Sequence, residues 1–81
     1  MERNELLKQV NDIFIDILDN DQIKLNEDTT VLDVEEWDSL THIHLVVAIE
    51  KRFNIKFTTT ETQSWNNVGE LIDSVTKKIA A

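Results

Sequence analysis

The chain has 81 residues, with no Cys, no Pro and a single Gly. One domain of this size buries only about 60% of the surface its unfolded chain exposes, which excludes a deep enclosed active site, and the missing thiols exclude a disulfide framework, a Cys-ligated metal and a redox pair. Sixteen acids against eight bases give a net charge of −8, which disfavours nucleic acid and anionic membranes as partners, while 41% hydrophobic residues are enough for residues 1–81 to fold as a single domain.

In chain order, Leu6, Leu7, Val10, Ile13, Phe14, Ile17 and Leu18 share one stripe at helical spacing and predict an amphipathic helix over residues 3–18. Asp19-Asn20-Asp21 is a turn-favouring stop. Residues 19–37 read as irregular chain, and Ile23, Leu25, Val31, Leu32 and Val34 are expected to anchor it across the bundle as an ordered loop. Asp38 is suited to cap a second helix, Ser39 to Phe53, because its carboxylate accepts the orphan amides of a first turn. That helix carries two stripes: Leu45, Val46, Ile49 and Phe53 for the core, and Leu40, His44, Val47 and Lys51 opposite. An outward Leu40/Val47 pair either faces a partner or packs beneath the long loop.

Phe57 to Thr60 has no second strand to pair with, so residues 60–64 are expected to form a short helical turn. Asn67-Val68-Gly69-Glu70 matches a capping box, and Val68, Leu71, Ile72, Val75 and Ile79 predict a last helix to about Ala80, with Lys77 and Lys78 at the negative end of its dipole. The expected fold is all-α: a small four-helix bundle, three helices long and one short, with a long ordered loop between helices 1 and 2. The longest apolar run, Leu45 to Ile49, is too short to span a bilayer, and the first residues do not begin a secretory signal, so a cytoplasmic protein is expected.

The charge is uneven. Between Leu25 and Glu50 there is no Lys or Arg but seven acids, Glu27, Asp28, Asp33, Glu35, Glu36, Asp38 and Glu50. Such a stretch is either a solvated loop or a surface that speeds encounter with basic partners. Catalysis has little support: Asp38, Ser39 and His42 supply triad residue types, but Trp37-Asp38-Ser39-Leu40-Thr41 is no Gly-x-Ser-x-Gly elbow, and no Gly-rich segment offers an oxyanion hole. His42 and His44 point about 200° apart on a helix and cannot share one ion. Asp19-Asn20-Asp21 begins like a calcium loop, but Lys24 and Thr30 stand where a Gly and a bidentate Glu belong. His42 is expected to be a half-buried packing residue and His44 exposed. Trp65 is read as core, and Trp37 as either a shield for the loop or a lining for something attached nearby.

Ser39 remains. With Asp38 as cap, the hydroxyl is free at the first helical position, beside the acidic stretch and at the head of the Leu40/Val47 stripe, where a phosphate ester would meet the positive end of the helix dipole and unpaired amides. Asp38-Ser39-Leu40, the preceding loop Leu25-Asn26-Glu27-Asp28-Thr29-Thr30-Val31-Leu32, the following Ile43, Leu45, Val46, Ala48, Ile49, Glu50 and Phe53, then Phe53-Asn54-Ile55-Lys56-Phe57 and Asn67-Val68-Gly69-Glu70-Leu71 together resemble the acyl carrier protein family over about residues 6–79. The resemblance implies a non-catalytic carrier with 4′-phosphopantetheine attached through a phosphodiester to Ser39. A holo-synthase (phosphopantetheinyl transferase) would supply it from coenzyme A, and the arm's thiol would bear an acyl group as a thioester. It also implies docking on basic patches of acyl-loading, elongating or transfer enzymes through Glu35, Glu36, Asp38, Leu40, Ile43, Val47 and Glu50; nothing in the sequence suggests more than a monomer, or insertion into a membrane. Where many members have a Gly three positions before the serine this chain has Glu36, and its second helix carries Thr41, His42, His44, Lys51 and Arg52 at outward or flanking positions. These departures point to a specialised carrier. An aminoacyl or peptidyl carrier of the same fold, or an unmodified acidic adaptor, are the alternatives.

Overall fold

Four helices form where the apolar periodicity places them in a computed structural model that describes residues 2–80. They are α1 (Arg3–Leu18), α2 (Ser39–Phe53), α3 (Thr59–Gln63) and α4 (Val68–Ala80), and no strand occurs among the described residues. α1 ends at Asp19, whose left-handed backbone (φ 51°) turns its N–H back to the Ile15 carbonyl; α2 ends the same way at Asn54 (φ 55°). Asp and Asn are the side-chain types that tolerate this conformation best after Gly. α3 starts one residue earlier than expected, because Thr58 and Glu61 form a capping box: Glu61 N–H bonds to Thr58 Oγ1 at 3.1 Å and Thr58 N–H to Glu61 Oε1 at 2.8 Å.

The core is one cluster. Leu6, Val10, Ile13, Phe14 and Leu18 of α1 meet Leu45 and Ile49 of α2 and Val68, Leu71, Ile72 and Val75 of α4. Phe53 packs partly buried against it. Two expected core residues do not reach it: Val46 is half-buried along a surface cleft, and Ile79, in the last turn of α4, is 39% exposed.

The long loop between α1 and α2 is ordered, but not by all the expected anchors. Leu25, Val34 and Trp37 are buried and Ile23 is partly so, whereas Val31 and Leu32 sit outward on a single 3-10 turn (Val31–Asp33), Leu32 being 93% exposed. The turn carries its own cap, since Thr30 N–H bonds to Asp33 Oδ2 at 2.9 Å. Backbone groups tie the loop to α4. The carbonyls of Thr29 and Glu27 accept the first amides of α4, Val68 N–H at 2.9 Å and Gly69 N–H at 2.8 Å, and Asn67 Oδ1 accepts from Glu70 N–H at 2.9 Å. The loop thus caps the last helix. Arg3 pins the same junction from α1, with Nε on Glu27 and Nη1 on Asp73, both at 2.7 Å, and Nη2 on the Gly69 carbonyl at 3.0 Å.

Gly69 is required by that approach. A Cβ there would stand 3.0 Å from the Glu27 carbonyl oxygen and 3.3 Å from Glu27 Cβ. Gly69→Ala gains up to about 1 kcal/mol of helix propensity. It must also push the Glu27 backbone away and weaken two capping bonds, so the net change is expected to be a loss of about 1 kcal/mol. Thermal unfolding checks this: a melting temperature lower by about 4–8 °C is expected for a domain of this size, and a rise would show that the loop yields freely.

Candidate functional site

Ser39 is the first residue of α2 and is exposed. Its position is set by the cap before it. Asp38 Oδ1 accepts from Leu40 N–H at 3.0 Å and Thr41 N–H at 2.9 Å, while Asp38 N–H returns to Thr41 Oγ1 at 2.8 Å. The Thr41 amide, followed by its hydroxyl and the Leu40 amide, holds the Asp38 carboxyl below the usual carboxylate range. This narrows one expectation: Asp38 already takes the Leu40 and Thr41 amides, so of the first turn only the Ser39 N–H is left open to an anion. What the cap leaves free is the Ser39 hydroxyl, which has no intramolecular hydrogen bond. Thr41 Oγ1 donates to the Glu36 carbonyl at 2.8 Å and ties the end of the loop to the same turn.

Beside Ser39 runs an open cleft of about 550 Å³ between α2 and α3, lined by Ile43, Val46, Val47, Glu50, Phe57 and Thr62 among others. A larger hollow, about 620 Å³, lies between the arms of the long loop, walled by Lys24, Asp28, Asp33, Glu35 and Glu36 among others, and Ser39 does not line it. The cleft, not the hollow, adjoins the Ser39 hydroxyl.

Leu40, Ile43 and Val47 stand outward on α2, at 66%, 61% and 43% exposure, so they do not pack beneath the loop. His44 and Lys51 flank them, also exposed. The acids divide by their local bonds. Glu35 is exposed, but Glu36 is half-buried and accepts from Asn20 Nδ2 at 2.8 Å, and Glu50 is half-buried and accepts from Phe57 N–H at 2.8 Å. Glu36 and Glu50 therefore brace loops as well as carrying charge.

His42 is half-buried and bonded at both ring nitrogens. Trp37 Nε1 can only donate, so at 3.1 Å it fixes His42 Nδ1 as acceptor; Nε2 then carries the proton and donates to the Thr62 carbonyl at 3.0 Å. Rings continue on both sides. Phe14 meets Trp37 edge-on at 4.9 Å, Trp37 stacks on His42 at 6.0 Å, His42 meets Trp65 at 5.8 Å, and Trp65 meets Phe57 at 5.1 Å. Trp37 is thus a core residue that seals the loop, and Trp65 is partly buried with its Nε1 donating to Ser74 Oγ at 2.7 Å. Sequence reasoning placed His42 as packing but had no signal for its two bonds, since neither Trp37 nor Thr62 lies at a helical spacing from it.

Comparison with known proteins agrees with this geometry. The family model described as "Phosphopantetheine attachment site" matches residues 8–75. An acyl carrier protein of Caulobacter vibrioides is 31% identical over 77 residues, 95% of this chain and 99% of that protein. A D-alanyl carrier protein of Bacillus velezensis is 29% identical over 90% of this chain and 96% of that one. The solution structure of holo acyl carrier protein from Geobacter metallireducens superposes with a TM-score of 0.87 at 41% identity, covering 93% of this chain and 86% of that chain. The match defines a class of small helical carriers that hold 4′-phosphopantetheine covalently. The chain belongs to the acyl carrier protein family and functions as an acyl carrier.

Proposed function

We propose that residues 1–81 form one non-catalytic carrier domain in which Ser39 Oγ bears 4′-phosphopantetheine. The observation that carries this is the exposed Ser39 hydroxyl, without an internal partner, on a turn locked by Asp38 and Thr41 and opening on the α2–α3 cleft. The residues fit the group: the hydroxyl can take a phosphodiester without breaking any bond of the fold, and the cleft gives the arm a partly apolar wall. When attached, the group supplies a terminal thiol that holds the acyl chain as a thioester. The protein's own part is to present, orient and shield.

In this reading a phosphopantetheinyl transferase, and then acyl-loading, elongating or transfer enzymes, dock on α2 and the loop before it. Leu40, Ile43 and Val47 form the apolar contact, and Glu35, Glu36, Asp38 and Glu50 supply negative potential that steers basic patches toward the serine. The carrier acts as a monomer in the cytoplasm. No described helix is long and apolar enough to cross a membrane. An aminoacyl carrier of the same fold is the second reading, favoured by the similarity to a D-alanyl carrier protein.

Co-expression with a broad-specificity phosphopantetheinyl transferase is expected to add one prosthetic group by intact-mass spectrometry, and Ser39→Ala to abolish the addition with the helical circular dichroism unchanged. An unmodified mass in folded wild-type protein would leave the chain an acidic adaptor and overturn the proposal.

A further inference from the structure

The inner side of the cleft beside Ser39 is walled by half-buried residues, His42, Val46, Phe57 and Thr62 among them. His42 lines the cleft and turns its ring away from solvent onto Trp37 and Trp65. Beyond Trp37 lies Phe14, whose side chain, like those of Leu45 and Ile49, is fully buried in the core. An alkyl chain hanging from Ser39 that follows this ring stack inward has to displace His42. Displacement is resisted twice over, because Trp37 Nε1–H and the Thr62 carbonyl would each lose the partner they have at 3.1 and 3.0 Å. A buried donor left without an acceptor costs far more than an exposed one. The His42–Thr62 bond also holds α3, the opposite wall, at its present distance from α2.

A shallow cleft and a deep slot favour different cargo. Each methylene gains free energy on leaving water, so a long alkyl chain is held only where it can bury most of its length. A short acyl group gains little from depth and is served by the outer cleft alone. We infer that His42 is the specificity-determining residue of this carrier: bonded to Trp37 and Thr62, it closes the cleft to long alkyl chains and confines the cargo to short acyl groups. This rests on Ser39 as the attachment point.

The test loads the apo-protein from butyryl- or dodecanoyl-coenzyme A with a transferase tolerant of acyl donors, and intact mass reports attachment on its own, before any hydrolysis is measured. Thioester hydrolysis at mildly alkaline pH is then timed by mass. A sequestered thioester is shielded from water, so rates within about twofold of each other are expected for the two chains in wild-type protein. Tryptophan emission, which reads the two rings flanking His42, is expected to be the same for both. His42→Ala opens the wall and is expected to slow dodecanoyl hydrolysis by about tenfold while leaving butyryl hydrolysis unchanged. His42→Phe, which fills the space but removes both hydrogen bonds that resist displacement, is expected to give a dodecanoyl protection between those of wild type and His42→Ala. Protection of the dodecanoyl thioester by about tenfold in wild-type protein overturns the inference without any variant. So does a folded His42→Ala protein that gains no protection. Absence of added mass in folded protein removes the attachment point and the inference with it.

Discussion

Trp37→Ala is expected to cost about 3–5 kcal/mol, the range for deleting a large buried aromatic. A domain of this length has a total stability of about 4–12 kcal/mol, so the urea midpoint should fall by about half or the protein should unfold. The reason lies in what the ring touches. Trp37 is 5% exposed, packs edge-on to Phe14 of α1, stacks on His42 of α2 and closes a loop whose other anchors are small. Trp37→Phe separates the contributions. It keeps most of the buried area but removes the N–H that His42 Nδ1 accepts, and should cost about 1–2 kcal/mol. If both substitutions cost equally little, Trp37 does not seal the loop. If they cost equally much, the hydrogen bond outweighs the ring.

The helices were legible because their cause is local. Leu6 to Leu18 recur at a spacing that only a helix puts on one face, and Asp38 caps the turn directly after it in the chain. The outward stripe on α2 was legible for the same reason, and it is the part of the candidate site that periodicity exposes. The loop was legible only as a loop. Val31 and Leu32 looked like anchors by hydropathy, yet a 3-10 turn capped by Thr30 and Asp33 carries them outward, while the carbonyls of Glu27 and Thr29 tie the loop to α4. Carbonyls are common to every residue, so composition has nothing to say about which ones cap α4. His42 illustrates the remaining gap. Its type and spacing gave half-burial, but the bonds that fix its tautomer come from Trp37 and from Thr62, which α3 brings in from twenty positions away.

Asn11→Ala is expected to be the next most damaging change, at about 2 kcal/mol, although Asn11 is a polar residue in mid-helix where alanine is the better helix former. Its amide bridges α1 to the loop: Oδ1 accepts from Leu25 N–H at 2.6 Å and Nδ2 donates to the Ile23 carbonyl at 3.2 Å. Leu25 is buried, so its N–H has no ready access to water once that acceptor is gone. Loss of the pair should therefore free the loop before it frees the helices. Urea unfolding should show the lowered midpoint, and amide exchange should accelerate first at Leu25 and then at Gly69, whose N–H depends on the Glu27 carbonyl further along the same loop. Far-ultraviolet circular dichroism should hold, because α1 keeps its own ladder. Unchanged exchange at Leu25 would mean that Leu25, Val34 and Trp37 order the loop by burial alone, and that the side-chain bridge is a consequence of that order and does not create it.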